Sequence, residues 1–136
     1  MNLLHHPAQL KQVIASSSFS VYPGKYVYAR VTSVVPGPEH LMIINDGEEI
    51  TVVTLEEHLP EIGSYEVNKD RWRLINIRCG NPFYCIGFIA TIATALAKEG
   101  IDLVLTSSFT KDLVLVMEKD LARSVALLER EGFGRE

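Results

Sequence analysis

The sequence predicts an α+β fold built from two similar units, and three observations lead there. Residues 72–128 read as strand, glycine-containing loop, helix, strand, strand, helix. Asn45-Asp46-Gly47 stands between two short apolar runs, 41–44 and 50–53. Asp-Gly in such a place marks a hairpin, because the turn needs positive φ. Third, Ile50-Thr51-Val52-Val53 and the acidic helix start after it resemble Leu113-Val114-Leu115-Val116 followed by Glu118-Lys119-Asp120, a weak internal repeat. An element order of this kind belongs to a split βαβ unit. The expected architecture is tandem ferredoxin-like (βαββαβ) subdomains, residues 1–65 and 66–136, with antiparallel sheets and helices on one face. No complete sixth strand is visible after the last helix, so the halves are expected to complete each other.

Taken in order, Leu10, Val13 and Ile14 give a short amphipathic helix after Pro7, a residue suited to a first turn. Ser16-Ser17-Ser18 ends it. Pro23-Gly24 is a turn signal, and residues 26–33 alternate aromatic and β-branched types, as a strand does. Pro36-Gly37-Pro38 breaks that strand. After the hairpin, Thr54-Leu55-Glu56-Glu57 has capping-box spacing and predicts a short helical turn. The polar stretch 60–70 reads as a connector. Residues 71–79 carry Trp72, Leu74, Ile75 and Ile77, apolar on both faces as in a central strand. The helix expected over 86–99 is the best patterned: Ile89, Ile92, Ala93, Leu96 and Ala97 form one stripe, with Thr91, Thr94 and Lys98 on another face. Gly100 ends it in the left-handed conformation that glycine adopts at little cost. Strands follow over 101–106 and 113–117, then a final helix marked by Leu121, Val125 and Leu128.

Composition narrows the function. A formal net charge of −4 argues against a nucleic-acid partner, which would select a basic face. No apolar run approaches the ~20 residues that span a bilayer, so no membrane partner is expected. The first residues lack the charge and apolar run of a signal peptide, and two cysteines make no disulfide framework, which points to the cytoplasm. There is no phosphate-cradling glycine loop, no helix with paired histidines and no nucleophile elbow, so no enzyme and no cofactor is expected. His5, His6, His40 and His58 are scattered; adjacent His5 and His6 at a terminus read as solvated.

Several segments in order resemble the ACT domain family, in particular its tandem members related to the cytosolic arginine sensor of animals. They are Trp72-Arg73-Leu74, Gly87-Phe88-Ile89-Ala90, Leu96-Ala97, Gly100-Ile101, Thr106-Ser107-Ser108-Phe109 and Asp112-Leu113-Val114-Leu115-Val116, with the acidic turn and strand 45–53 upstream. The resemblance covers roughly the second two-thirds of the chain. It implies two ACT-like subdomains per chain, a homodimer, a regulated protein partner, and a small-molecule amino acid bound at an interface between subdomains. The residues it points to are Pro82, Phe83, Cys85, Ile86 and Gly87 before the helix, and Thr106, Ser107, Ser108, Phe109 and Asp112 at the strand ends. In the arginine sensor the position two before the helix glycine is acidic. Here it is Cys85, which implies a neutral or apolar amino acid, or no ligand.

The residues themselves leave alternatives open. Gly87 costs a helix about 1 kcal/mol relative to alanine. Its missing Cβ serves equally a close ligand carboxylate at the helix amides or tight packing against a strand. Asp112, unfavourable in a strand, serves either a ligand ammonium or its own turn. Phe83 and Tyr84 suit a pocket or a core. The hydroxyls 106–108 suit a ligand or a turn. Cys79 and Cys85 read as buried thiols rather than nucleophiles.

Overall fold

The computed structural model describes residues 8–80 and 85–136. These form α1 (Ala8–Ala15), β1 (Ser18–Val21), β2 (Tyr26–Val31), β3 (Met42–Asn45), β4 (Ile50–Leu55), a 3-10 turn (Glu56–Glu61), β5 (Tyr65–Val67), β6 (Trp72–Arg78), α2 (Phe88–Lys98), β7 (Leu103–Ser107), β8 (Lys111–Met117), a second 3-10 turn (Glu118–Asp120), α3 (Leu121–Glu131) and β9 (Gly134–Arg135). No helix among them is long and apolar enough to cross a membrane.

Contacts divide the chain into two compact units, Pro23–Arg73 and the pair of segments Met1–Tyr22 and Leu74–Glu136. The partition expected at 65/66 is drawn differently here. The physical reason is β1, which the sequence reading did not foresee. It pairs antiparallel with β6, Ser18 opposite Arg78 through Val21 opposite Ile75. Leu10, Val13 and Ile14 of α1 enter one core with Phe19, Ile75, Ile77, Ile92, Leu96, Val114, Val116 and Leu128. The N-terminal residues therefore complete the C-terminal unit, whose strand order is β7-β8-β6-β1-β9. β9 joins β1 in parallel as a two-residue ribbon. A strand after the last helix thus exists, but it is a two-residue edge, and the strand that pairs with β6 on this side is β1.

In the Pro23–Arg73 unit the order is β3-β4-β2, with β5 on the other side of β2, and every one of these pairs is antiparallel. The stretch read as a connector thus contains a strand. It went unseen because Tyr65-Glu66-Val67 is only three residues long and gives periodicity almost nothing to act on. The capping box is not made. Leu55 stands at the cap with no side-chain hydrogen bond, and the turn is 3-10. The Thr54 hydroxyl lies 3.1 Å from His58 Nδ1 instead. Val27, Ala29, Val31, Val52, Leu59 and Ile62 form this unit's own core.

The two units close their hairpins alike. Asn45 faces Ile50 across residues 46–49, and Ser107 faces Asp112 across residues 108–111. In each loop the first N–H donates to the last carbonyl, Asp46 to Glu49 at 3.3 Å and Ser108 to Lys111 at 2.8 Å. The repeat therefore matches Ile50 with Asp112, one residue earlier than the expected match with Leu113. In a strand one residue decides which face a side chain takes. Ile50 and Val52 pack in one core, and Val114 packs in the other. Asp112 thus occupies the place that an isoleucine fills in the sister unit.

Helix α2 also turns differently from its expected stripe. Its buried residues are Phe88, Thr91, Ile92, Ala95 and Leu96, while Ile89 is 41% exposed. Thr91 can face inward because its hydroxyl donates to the Gly87 carbonyl at 2.8 Å, which removes the cost of burying it unpaired. Gly100, at φ +71°, ends the helix as expected.

Candidate functional site

The predicted site lies on two segments, the loop ahead of α2 and the β7–β8 hairpin. Pro82 and Phe83 fall outside the described residues, as do Tyr84, His5 and His6. Gly87 caps α2 at φ +91°. A Cβ placed there would come 3.1 Å from Leu10 Cδ2. The positive φ favours glycine, and a Cβ would also press on the side chain of Leu10 in α1. Cys85 is half-buried against the core, whereas Ile86 beside it is 95% exposed.

On the hairpin, Thr106 faces Leu113 and Ser107 faces Asp112. The Asp112 side chain is buried, and it accepts the Ser107 hydroxyl at 2.7 Å. Ser108 is tied to the Lys111 carbonyl through its N–H. Phe109 at the tip is 97% exposed. The hydroxyls thus divide. Ser107 holds the aspartate, and Ser108 shapes the turn.

Cys79 follows the last residue of β6. Its thiol is pushed up to about 11, first by burial, then by the Asp112 carboxylate and by Cys85, with the Ser17 hydroxyl opposing. A thiol so raised stays protonated at neutral pH and is a poor nucleophile. Both cysteines remain thiols. The sequence reading missed Ser17 and Gly80. Ser17 Oγ accepts the Gly80 N–H at 2.7 Å and donates to the Val13 carbonyl at 2.6 Å. A Cβ on Gly80 would strike Ser16 Oγ and come within 2.7 Å of the Val13 carbonyl. Nothing local in a serine run announces such a contact, because its partner lies 63 residues away.

Among the described residues no group of three or more His, Cys, Asp or Glu is placed to hold a metal ion. His58 bears on His40, whose Nδ1 is buried without a hydrogen bond. Burial, and then His58, lower the His40 pKa. Three concavities, of about 810, 420 and 400 Å³, are lined wholly by residues of the Pro23–Arg73 unit.

Residues 67–130 match the family model of the ACT domain. An ACT domain is thus found over just under half of the chain, from β5 into α3. The match leaves out α1 and β1, which complete the same unit in three dimensions. No curated protein sequence matches. Among solved structures, a protein of unknown function from Vibrio cholerae is similar at 21% identity and TM-score 0.74, over 91% of this chain and 96% of that one. A protein from Agrobacterium tumefaciens is similar at 22% identity and TM-score 0.74, over 88% and 92%. The ligand-free regulatory subunit of aspartate kinase from Thermus thermophilus is similar at 11% identity and TM-score 0.61, over 88% and 97%. At such identities the likeness is one of fold.

Proposed function

We propose that the chain is a non-catalytic regulatory module made of two ACT-like units. It binds a neutral or apolar amino acid through the loop ahead of α2 and the hairpin that carries Asp112. The observation that carries this reading is the Asp112 carboxylate, buried in the ACT segment at the repeat position where the sister unit has Ile50. A buried charge is costly unless paired. Ser107 supplies one hydrogen bond to it, and a ligand ammonium supplies the opposite charge. Cys85, where the resemblance implies an acid, supplies no carboxylate for a cationic side chain, which supports a neutral or apolar ligand.

The interface is completed by a second copy of the chain. Ile86 and Phe109 support this, since each is almost wholly exposed and each lies on one of the two site segments. Large apolar side chains at such exposure suit a protein contact. Regulation then follows from different ligand affinity in two states of the dimer, read by a protein partner in the cytoplasm.

The test is thermal unfolding of the full chain with each of the twenty amino acids. A ligand that binds only the folded form raises the melting temperature. One or a few neutral amino acids are expected to do so, and Asp112→Asn to abolish the effect. No shift with any amino acid at millimolar concentration overturns the reading.

A second reading has a specific observation behind it. Leu10 already crowds Gly87, and Ser107 already holds Asp112. A module that keeps the ACT fold as a protein-interaction surface, with no ligand, fits those contacts. Dimer formation without any amino-acid response distinguishes it.

A further inference from the structure

Thr54 is fully buried near the end of β4, and its hydroxyl ties together two other pieces of the Pro23–Arg73 unit. Oγ1 lies 3.4 Å from the Glu39 carbonyl, on the loop ahead of β3, and 3.1 Å from His58 Nδ1, on the first 3-10 turn. A hydroxyl has one proton, and a carbonyl only accepts. The proton therefore goes to Glu39, and His58 Nδ1 donates to Thr54. With Ile50 matched to Asp112, the counterpart of Thr54 is Val116, four residues further along each strand. Val116 packs in an apolar core with Leu128 of α3. Where the sister unit closes with apolar contact, this one closes with a hydroxyl between a loop and an imidazole.

His40, next to Glu39 in the chain, is the second imidazole here. Its Nδ1 is buried without a hydrogen bond among the described residues. An imidazolium carries a proton on both nitrogens. A charged His40 would therefore bury an N–H with no acceptor, a cost that the neutral ring avoids. The nearby carboxylates give no relief. Glu39 on the same loop and Glu57 and Glu61 on the turn are exposed, and Glu56 pairs with Arg71 at 3.2 Å. Burial, and then His58, hold His40 below its ordinary 6.5. The charge that bears on His40 thus comes from another titratable ring. With Nδ1 committed to Thr54, His58 takes an acid proton on Nε2 and keeps that bond. What the turn covers is apolar: Leu59 and Ile62 pack with Val27, Ala29, Val31 and Val52.

We infer that His40, Thr54 and His58 form an acid-sensitive latch, which holds the 3-10 turn on the sheet of the Pro23–Arg73 unit and lets go when both rings are protonated. Neutral rings keep the turn down. Two imidazolium rings repel, and the charged His40 Nδ1 finds an acceptor only by turning to water, which parts the loop from the turn. Leu59 and Ile62 then leave the core. The stability that the latch adds is complete above pH 6.5 and is lost as pH falls through the lower folded value. The latch acts within one unit and does not depend on Asp112 or on a ligand there.

The test is urea unfolding of the full chain at about pH 8 and about pH 5, the interval in which histidine changes charge. The wild type is compared with His40→Gln, His58→Gln and the double variant. The wild-type midpoint is expected to fall on acidification, and each single variant to lose less. The coupling between the two substitutions should grow at the lower pH, as repulsion between charges requires. A packing role for the rings gives the same coupling at both. A second measurement needs no variant. In the wild-type carbon–proton spectrum, the methyl signals of Leu59 and Ile62 should move with the same midpoint as the His40 ring. Methyl signals that stay fixed while His40 titrates, an unchanged coupling, or an equal acid fall in His40→Gln and the wild type overturns the inference.

Discussion

Gly80 and Gly87 bracket the loop ahead of α2, and they exclude a side chain for different reasons. Gly87 has φ +91°, so a Cβ strains the backbone and also presses on a flexible leucine. Gly87→Ala is expected to cost about 1–2 kcal/mol, the usual penalty of a left-handed non-glycine residue. Gly80 has no such φ but abuts a backbone carbonyl, which cannot move aside. Gly80→Ala should therefore cost at least as much, about 1–3 kcal/mol by overpacking. Urea unfolding of both variants checks the order. At the same scale, Cys79 makes stability depend on alkaline pH. Its folded pKa lies above the ordinary 9.0, at about 11. The folded state then holds this proton more tightly than the unfolded state. Its contribution is complete below pH 9.0 and is lost as pH rises toward about 11. Cys79→Ala is expected to shallow the fall in stability over that window, and an identical fall in the variant contradicts it. Of these residues the sequence pointed to Gly87 and Asp112 but not to Gly80 or Ser17. Local chemistry marks a glycine at a helix mouth. It does not mark one pressed against a distant helix.

At the scale of elements, α2 tests how far periodicity reaches. The stripe expected from the sequence counted Ile89 and Ile92 alike. In the structure Ile92 is fully buried and Ile89 is 41% exposed. Ile92→Ala should cost about 2–5 kcal/mol, as large-to-small changes in cores do. Ile89→Ala should cost well under half of that, and equal losses would restore the expected stripe. The difference arose from Thr91, placed outside by its polarity although its hydroxyl is satisfied within its own turn. Both hairpins, the long strands β2, β6 and β8, and all three helices were legible, because each has a long or chemically sharp signal. β1, β5 and β9 were not, being four, three and two residues long. The internal repeat was legible too, but one residue out of register. That slip hid the exchange of Ile50 for Asp112, which only the pairing of strands reveals.

At the scale of the whole molecule, chain order and spatial order part company. The Pro23–Arg73 segment is inserted between the two pieces of the other unit. The fragment 66–136, the C-terminal half as the sequence divides it, lacks α1 and β1. It leaves one edge of β6 unpaired and uncovers Ile75, Ile92 and Leu128, which share a core with Leu10 and Phe19. Circular dichroism and urea titration should show no cooperative unfolding for that fragment. A fragment 23–73, which keeps its own core, should retain more structure, although so small a unit is marginal. A cooperative 66–136 fragment would contradict the division seen here. A covalent contact order of this kind escapes a linear reading, since no residue near position 18 advertises a partner near position 78.

The most direct measurement is a two-dimensional nitrogen–proton correlation spectrum of the labelled full chain, titrated with a mixture of neutral amino acids. Saturable shifts are predicted for the amides of Cys85, Ile86 and Gly87 together with Ser107, Ser108 and Asp112, and none of them in Asp112→Asn. A spectrum in which those amides stay put at millimolar amino acid would contradict ligand binding at the Asp112 hairpin.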